Sequence, residues 1–343
     1  MFVLKIVNNE NLKQYNTFGI NTIAEYSVRL EDESNVAETI EFAKSRSLKT
    51  LILGGGSNLL FTQKDFNGLV IAIRNSGIET IEEDSTSVLV KVKAGHDWDN
   101  FVEQTVLMGY SGHENLSLIP GLTGAAPIQN IGAYGQELQN ICEMVEYFDT
   151  EKMKGKIILN RECSFGYRTS IFKESIKGKF IITAVYFRLQ KGFVPKTAYG
   201  SISEKLSKMG VTKPTPVDLR NAVISIRKEK LPDPKVTGNA GSFFKNPVVK
   251  IEKLKILQET FTDIPYYPAT EGYVKLSAGW LIEKCGFKGK REGNTGTAPG
   301  HALVICNFGE ATGEEIISFA YKIKDSVFNK FTVEIEPEVN IIT

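Results

Sequence analysis

The sequence has 343 residues, a length that predicts two or three domains, and its 42% hydrophobic and 24% charged residues are typical of an ordinary globular protein. The formal net charge of +1 gives no reason to expect a nucleic-acid-binding protein. No apolar run approaches the roughly 18 residues of a membrane-spanning helix, so we expect no membrane partner.

The N-terminus, the cysteines and the histidines bear on location and on metals. Residues 1–9 are apolar over too short and too interrupted a run for a signal peptide, so we expect a cytoplasmic protein. The four cysteines lie far apart without a C-x-x-C pair, which favours buried structural thiols over a zinc site or a disulfide framework. The three histidines lack metal-ligand spacing too, so we expect no metal.

The early chain indicates alternating helices and strands. A helix is predicted over residues 35–45, where apolar residues recur on one face and Asn35 with Glu38 resembles a capping box. A strand over 50–53 follows and runs directly into a glycine-rich segment.

Two longer strands and a second helix are predicted further along. Residues 88–94 alternate partly like a half-buried strand, and residues 180–189 indicate a more buried one. Residues 191–235 are richer in lysine and proline, and within them residues 213–216 resemble a linker or loop. Asp218 is then predicted to cap a helix over 219–230.

The C-terminal third contains the clearest helix. Thr312 and Glu315 form a capping box, and apolar residues repeat at helical spacing over 312–328. Residues 331–339 alternate like a strand until a proline interrupts them. Together the elements predict a mixed α+β (α/β) fold.

The run Gly54-Gly-Gly-Ser-Asn58 after the first strand is suited to binding phosphate. Glycines let peptide N–H groups approach an anion, and the serine and asparagine add side-chain donors. Leu59 stands where a third spaced glycine would be needed, so a Rossmann or P-loop nucleotide site is disfavoured. The run alone is equally compatible with a plain turn.

A second glycine-rich segment extends over residues 119–135. Its dense small residues, with Gln129 and Asn130 among them, suit backbone laid against a large flat ligand. The alternative is an elaborate structural loop.

Two shorter segments carry charges that indicate little alone. Arg168 lies between Tyr167 and Phe172, and an arginine beside aromatic residues is usually a packed surface pair. Glu336 and Glu338 form an acidic pair of a kind that is normally exposed to solvent.

Residues 231–247 are the most unusual stretch. Prolines stiffen its start, and Gly238 and Gly241 free the backbone, which predicts a tight bend at Ser242. No G-x-S-x-G elbow or histidine–aspartate partner accompanies the serine, so a hydrolase nucleophile is a poor interpretation. An excess of basic residues over 227–255 indicates either an anionic small ligand or a solvated basic face.

Seven short segments match one enzyme family in the same order along the chain. They are Asn16-Thr-Phe-Gly19, Gly54-Gly-Gly-Ser-Asn58, Gly95-His-Asp-Trp98, Ile119-Pro-Gly to Gly135, Gly166-Tyr-Arg-Thr-Ser-Ile-Phe-Lys173, Gly238-Asn-Ala-Gly-Ser-Phe-Phe-Lys-Asn-Pro247 and Glu336-Pro-Glu-Val339. Each is weak alone, but the ordered set resembles the UDP-N-acetylenolpyruvoylglucosamine reductases, also called UDP-N-acetylmuramate dehydrogenases. Tyr199-Gly200 and Lys230-Leu-Pro-Asp-Pro-Lys235 resemble the branch with an additional tyrosine-bearing substrate loop.

The resemblance implies a fold, a cofactor and a reaction. The fold is an FAD-binding fold of the vanillyl-alcohol-oxidase type with a separate C-terminal substrate-binding domain. FAD is bound non-covalently and NADPH is the reductant. NADPH gives hydride to flavin N5, then the flavin gives hydride to C3 of the enolpyruvyl group, and protonation of C2 completes the lactyl ether of UDP-N-acetylmuramate. The partners are the UDP-sugar and NADPH, and we expect a monomer.

We expect three regions along the chain. Residues 1–70 with 330–343 form one FAD-binding lobe, residues 71–217 form a second, and residues 218–329 form the substrate-binding domain. The composition shift before residue 217 and the strand after the last helix support this division.

By resemblance, each class of site residue can be assigned. Hydride attack on an unsaturated carboxylate builds a dianionic enolate, which needs fixed cations or acid hydrogen bonds at its oxygens; Arg168 and Glu338 match those positions, and Ser242 matches the donor of the proton to C2. The cofactor-binding positions are Gly54, Gly55, Gly56, Ser57, Asn58, Pro120, Gly121, Ala125, Ile128, Ile131, Gly132, Ile182 and Arg227. The substrate-binding positions are Tyr134, Tyr167, Tyr199, Lys230, Asn246, Tyr267 and His301.

Three residues depart from the family's usual pattern. Ala298 and His301 stand where a histidine and a glutamine are common, so one substrate contact is altered. Asn340 stands where many members have arginine after Glu-Pro-Glu-Val, which alters a flavin or structural contact.

Two other functions compete with the reductase. A flavin oxidase of the same fold would act on an alcohol or lactone with oxygen, and residues 238–247 argue against it because they match the reductase's substrate domain. A non-catalytic UDP-sugar-binding protein would need no flavin.

Overall fold

The computed structural model describes residues 4–199 and 201–343; the first three residues of the N-terminal stretch, and Gly200 of the Tyr199-Gly200 pair, lie outside the described residues. The strands are β1 (Ile6–Asn11), β2 (Ile23–Leu30), β3 (Thr50–Leu53), β4 (Leu59–Phe61), β5 (Asp65–Ile73), β6 (Ile78–Glu83), β7 (Ser87–Lys93), β8 (Gly132–Ala133), β9 (Gln136–Glu137), β10 (Cys142–Asp149), β11 (Lys154–Leu159), β12 (Phe180–Gln190), β13 (Gly238–Ser242), β14 (Val248–Lys250), β15 (Tyr266–Pro268), β16 (Tyr273–Leu276), β17 (Arg291–Glu292), β18 (Thr295–Ala298), β19 (His301–Asn307) and β20 (Asn340–Ile342). The α-helices are α1 (Val36–Ser45), α2 (Trp98–Leu107), α3 (Ile202–Lys208), α4 (Pro216–Lys230), α5 (Ile251–Gln258), α6 (Ala278–Lys284) and α7 (Gly313–Phe331).

One compact unit contains the residues up to Glu10, Ile23–Gly55 and Phe66–Arg227. It has a four-stranded sheet of order β1-β2-β5-β3 and a five-stranded sheet of order β11-β10-β12-β7-β6. Strand β12 lies at the centre of the second sheet, and its residues from Phe180 to Phe187 are all buried. Such continuous burial requires cover on both faces of the sheet.

Helix α2 covers part of strand β12 through aromatic side chains. The rings of Trp98 and Phe101 lie 5.8 and 4.8 Å from the ring of Phe187, centroid to centroid. Asp97 caps the helix by accepting the backbone N–H of Asn100 at 2.9 Å. The cap and the aromatic contacts fix the first turn of α2 against the sheet.

The other compact unit contains Asn11–Thr22, Gly56–Asp65 and Lys228–Thr343. Its sheets have the orders β13-β19-β18-β17 and β14-β16-β15, and β20 pairs in parallel with β4. Helix α7 buries Ile316 and Ile323, two of the residues that repeat at helical spacing.

The clearest predicted elements are confirmed. The strand at 50–53 is β3, that at 88–94 is β7 shifted by one residue, and that at 180–189 is β12. The helix at 312–328 is α7, and the capping box that begins at Thr312 forms as predicted. The mixed α and β content agrees with the predicted class.

The N-cap residues predicted for the two other helices, α1 and α4, are wrong. The side chain of Asn35 makes no cap hydrogen bond, because a short 3₁₀ turn precedes α1 and Asp32 caps that turn instead. Asp218 lies inside the first turn of α4. Its carboxylate accepts the N–H of Thr215 at 2.9 Å and its own N–H donates to the threonine hydroxyl at 3.2 Å, so Thr215 is the cap and Pro216 the first helical residue.

The strand predicted over 331–339 is also wrong. Helix α7 continues to Phe331, and the segment after it pairs with another only through a single bridge between Pro337 and Phe244. The burial of this segment does alternate, because it lies extended with one side against the core. The paired strand begins only at Asn340.

The predicted three-region division stays a prediction. It separates segments by the ligand that each would bind, whereas the two units are separated by packing alone. In residues 4–199 and 201–343, no helix combines the length and apolar character needed to cross a bilayer.

Candidate active site and flavin-binding loops

Two glycines in the run after β3, Gly55 and Gly56, leave no room for a side chain. A Cβ added at Gly55 would lie 2.9 Å from the Cα of Gly121, so the two glycine-rich segments meet backbone to backbone. Gly56 has a φ of +65°, and a Cβ there would overlap the carbonyl oxygen of Tyr15. Only glycine satisfies either position without displacement.

The short motif Gly95–Trp98 holds the second glycine-rich segment in place. The N–H of Thr123 donates to the carbonyl of His96 at 2.9 Å, and the N–H of Trp98 donates to the carbonyl of Gly121 at 3.0 Å. The segment is therefore ordered by a neighbouring helix start and is not a loose loop.

The loop surface of the first unit fits a flavin dinucleotide. Gly55, Pro120 and Ala125 are exposed, so small groups and backbone face outward there. Backbone of this kind can approach a pyrophosphate closely, and a long side chain would prevent it. The residues therefore fit the cofactor that the resemblance implies.

The other predicted cofactor positions differ in burial. Ile131 and Ile182 are buried, which leaves their side chains little surface to offer a ligand. The half-buried positions are Gly54, Ser57, Asn58, Gly121, Ile128, Gly132 and Arg227, and Gly56 is buried.

Arg168 is tied to the second glycine-rich segment. It has a φ of +56°, unusual for arginine, in a tight turn. Its Nη2 donates to the carbonyl oxygen of Gly132 at 2.8 Å, and its guanidinium lies 5.5 Å from the ring centroid of Tyr167. Arg168 therefore contacts an aromatic ring, as the sequence indicated, and its hydrogen bond to Gly132 also orients the guanidinium on a predicted cofactor loop.

The C-terminal end of the same segment, at Tyr134 and Gly135, lies near two other predicted site residues, Tyr199 and Arg227. Burial raises the pKa of the Tyr134 phenol, and the positive charge of Arg227 opposes that shift. A Cβ added at Gly135 would lie 3.3 Å from the Cβ of Tyr199. Burial lowers the pKa of Arg227, with Tyr134 opposing, so the two residues are electrostatic neighbours.

Ser242 and Glu338 lie on neighbouring backbone segments in the second unit. Ser242 ends β13 after an irregularity in the pairing with β19, at which Gly241 has a φ of +69°. The predicted tight bend is therefore a bulge at a strand end. The N–H of Glu338 donates to the carbonyl of Phe243 at 2.8 Å. Both predicted catalytic side chains are half-buried.

A second contact aligns the same two segments. The N–H of Lys245 donates to the carbonyl of Glu336 at 2.9 Å, and the ammonium group lies 3.2 Å from the carboxylate. Glu336 is exposed and paired, whereas Glu338 is partly withdrawn from solvent. The acidic pair is therefore not one uniform exposed surface.

Two predicted substrate residues, Lys230 and His301, are neighbours. A Cβ added at Gly300 would lie 3.2 Å from the carbonyl oxygen of Lys230. Burial lowers the pKa of His301, and the charges of Lys230 and Lys288 lower it further. His301 thus presents a neutral imidazole beside lysines, where the family commonly has glutamine.

The remaining substrate positions are dispersed. The side-chain oxygen of Asn246 accepts the N–H of Ala278 at 3.0 Å, at the start of α6. Tyr267 is exposed on β15. Ala298, the other departure, is buried in β18.

Asn340 has a structural contact of its own. Its backbone and side-chain N–H groups donate to the carbonyl of Asn58, at 3.1 and 2.9 Å. The side chain of Asn58 in turn donates to the carbonyl of Glu338 at 3.4 Å. Asn340, which departs from the family's usual arginine, therefore connects the end of the glycine run to strand β20 by hydrogen bonds.

Sequence reasoning missed Asp99 and Arg220, which support the residue before the second glycine-rich segment. Asp99 stands one residue beyond the matched Gly95–Trp98 motif, which is the only signal that could have indicated it. Arg220 is one of two arginines in α4 and stands 121 residues from Asp99, and no local pattern marks it.

Comparison with known proteins gives one consistent result. A family model described as UDP-N-acetylenolpyruvoylglucosamine reductase, C-terminal domain, matches residues 233–342, and one described as FAD binding domain matches residues 24–159. A UDP-N-acetylenolpyruvoylglucosamine reductase of Chromobacterium violaceum is 45% identical over 97% of this chain and 97% of its own length. One of Flavobacterium johnsoniae is 43% identical over 99% of this chain and 100% of its own length.

A solved structure agrees with these relatives. The crystal structure of UDP-N-acetylenolpyruvylglucosamine reductase from Thermus caldophilus covers 99% of each chain with a TM-score of 0.68 and 23% identity. At that identity the likeness establishes the fold.

Proposed function

Because the chain belongs to the UDP-N-acetylenolpyruvoylglucosamine reductase family, we propose that it reduces UDP-N-acetylglucosamine enolpyruvate to UDP-N-acetylmuramate with NADPH, through bound FAD. The family and the FAD-binding fold with a separate C-terminal domain were predicted from the sequence and are confirmed. The reaction supplies a precursor of peptidoglycan, and through it the enzyme serves cell-wall synthesis, cell shape and division.

The observation that carries the proposal is the pairing of the Ser242 and Glu338 segments. The 2.8 Å hydrogen bond between Phe243 and Glu338 keeps a segment with a hydroxyl and a segment with a carboxyl group next to each other. A hydroxyl and a carboxyl group on adjacent segments suit proton donation and charge stabilisation in one reaction.

The chemistry of the reaction assigns a role to each predicted catalytic residue. When bound, FAD carries hydride from NADPH to C3 of the enolpyruvyl group. Negative charge then develops on the substrate carboxylate, and we assign Arg168 to stabilise it by charge and Glu338, protonated for that part of the cycle, to stabilise it by donating a hydrogen bond. The hydrogen bond from Arg168 to Gly132 supports this assignment, because a pre-oriented cation needs no reorganisation during the reaction.

Ser242 is assigned as the donor of the proton to C2. A serine hydroxyl is a weak acid in water, so it can act only towards a strongly basic carbon in an oriented, dry site. Its half-buried position after a strand-end bulge supports this assignment. Bulges re-aim side chains in this manner near active sites.

The substrate residues keep the assignment that the resemblance implies, and charge and exposure support part of it. Lys230 carries a positive charge beside the neutral His301, which suits an anionic sugar nucleotide. Tyr199 and Tyr267 are exposed and carry both an apolar ring and a hydroxyl. Tyr134, Tyr167 and Asn246 complete the set.

We also propose the finer properties predicted from the sequence. These are a cytoplasmic location, a monomeric state, and the three-region division into two flavin lobes and a substrate domain. The location is supported by four free cysteines, of which three are buried, as expected in a reducing compartment. Light scattering tests the monomeric state.

A visible absorption spectrum tests the proposed reaction. The purified protein, loaded with FAD, should lose its flavin absorbance on anaerobic addition of NADPH and regain it on addition of the enolpyruvyl substrate. Oxygen uptake with an alcohol or lactone, without NADPH, would instead indicate an oxidase. A protein that cannot be loaded with FAD would indicate a non-catalytic UDP-sugar-binding protein.

A further inference from the structure

The residue before the predicted flavin loop has a strained backbone. Leu118 has a φ of +57°, in the left-handed region that leucine rarely adopts. It stands three residues before Gly121, which meets Gly55 backbone to backbone. A strained conformation of this kind persists only where the surroundings impose it.

Two charged side chains hold both polar backbone atoms of Leu118. The N–H of Leu118 donates to Oδ1 of Asp99 at 2.6 Å, and the carbonyl oxygen accepts from Nε of Arg227 at 3.2 Å. Both are charge-assisted hydrogen bonds, which are stronger than hydrogen bonds between neutral groups. The orientation of the peptide units on either side of Leu118 is thereby set.

Asp99 is itself held by a buried arginine. Nη1 of Arg220 lies 2.6 Å from Oδ1 and Nη2 lies 3.1 Å from Oδ2, a bidentate pair. The side chain of Arg220 is 6% exposed, and Glu103 lies at 3.4 Å as a second, more exposed partner. A guanidinium so buried depends on its carboxylate, because an unpaired charge at this depth is strongly unfavourable.

The spacing of the two arginines explains why they act together. Arg220 and Arg227 stand seven residues apart in α4, which is about two helical turns, so both lie on the same face of that helix. One reaches Asp99 in the first turn of α2, and the other reaches Leu118 directly. Side chains from α2 and α4 therefore both hydrogen-bond to the backbone of Leu118.

We propose that Asp99 and Arg220 are positioning residues for FAD binding, which hold Leu118 in its left-handed conformation and thereby preset the loop from Ile119 to Gly121. The inference rests on the proposed function for its ligand. Neither side chain needs to contact the cofactor. Their effect is to remove the ordering cost that the loop would otherwise incur on binding.

The first test measures the FAD dissociation constant by titrating the apoprotein and following the quenching of flavin fluorescence. Arg220→Met and Asp99→Asn are each expected to weaken FAD binding by about tenfold to a hundredfold. Lys156→Met is the control, since it breaks another short ion pair of the same unit, at 2.7 Å from Asp149, on the edge strand β11. The control should keep the parent's dissociation constant.

The second test uses the strained residue itself. Glycine adopts a positive φ without support, so in a Leu118→Gly background the effect of Arg220→Met on FAD affinity should shrink to a few-fold. An arginine that only stabilises the fold would have the same effect in both backgrounds. Circular dichroism of each apoprotein shows whether a variant folds, and Asp99→Asn replaces Arg220→Met in the cycle if the latter does not.

The outcomes separate this inference from the proposed function. A parent protein that fails to bind FAD contradicts the proposed function. A parent that binds FAD, with folded Arg220→Met and Asp99→Asn variants of equal affinity, overturns the positioning role alone. Equal losses of affinity in the parent and Leu118→Gly backgrounds overturn it as well.

Discussion

Gly56→Ala should destabilise the protein well beyond the usual cost of adding a methyl group. Alanine at a φ of +65° costs about 1–2 kcal/mol from backbone strain alone. The added Cβ also overlaps the carbonyl oxygen of Tyr15. That carbonyl cannot easily move, because the adjacent Asn16 is buried and makes three side-chain hydrogen bonds of 2.8–2.9 Å. The overlap should add about 1–3 kcal/mol, so we expect a total of about 2–5 kcal/mol.

Gly272→Ala provides the control in the same unit. Gly272 has a φ of +80°, and a Cβ there would meet nothing within 4 Å, so the substitution isolates the backbone term of about 1–2 kcal/mol. The free energy of unfolding in urea, followed by far-ultraviolet circular dichroism, compares both variants with the parent. Equal losses in the two variants would refute the steric reasoning at Gly56. FAD retention should fall in Gly56→Ala only.

Three further substitutions test the site and the core. Gly121→Val should abolish FAD retention because Gly121 has a φ of +133°, which valine rarely adopts, and lies backbone to backbone against Gly55; normal flavin content would contradict the flavin loop. Ser242→Ala should leave flavin bleaching by NADPH unchanged, while reoxidation by the enolpyruvyl substrate slows by about 10²–10⁴-fold in stopped-flow absorbance; reoxidation within a few-fold of the parent would remove Ser242 from the mechanism. His113 is buried against Thr105, and burial lowers the pKa of its imidazole to about 3. Since the unfolded chain takes up a proton below about pH 6.5 and the folded chain does not, stability falls as the pH is lowered, by about 2 kcal/mol between pH 6.5 and 5. In His113→Gln this part of the loss should be absent from urea unfolding curves at the two pH values.

The elements that could be predicted from the sequence are those with strong local determinants. The capping box at Thr312 formed because helix and cap agree within four residues. The similar signal at Asn35 failed because a preceding 3₁₀ turn supplied another cap, Asp32. At α4, Thr215 competed with Asp218 for the same role and, with Pro216 next to it, was the better placed. Local patterns therefore indicated the helices more reliably than their first residues.

Contacts in the site between residues far apart in the sequence were harder to predict than the helices and strands. The resemblance indicated the Ser242 and Glu338 segments, and the structure pairs them through Phe243. No sequence pattern could join Arg220 to Asp99, because that contact depends on how α4 packs against α2. The left-handed conformation of Leu118 was equally hidden, since leucine gives no local reason for it. Contacts that depend on tertiary packing were the part that the sequence could not reveal.

The pairing of β4 with β20 can form only after nearly the whole chain has been synthesised. Thr62 and Ile342 hydrogen-bond across 280 residues of chain, and the unit that contains them is assembled from three separate stretches. At ribosomal rates of about 5–20 residues per second, the apolar strand Leu59–Phe61 waits roughly 15–60 s for its partner to be made. Its unpaired edge invites incorrect pairing in that interval. Strand β4 therefore stays without its partner for longer during synthesis than a strand that pairs with a neighbour in sequence.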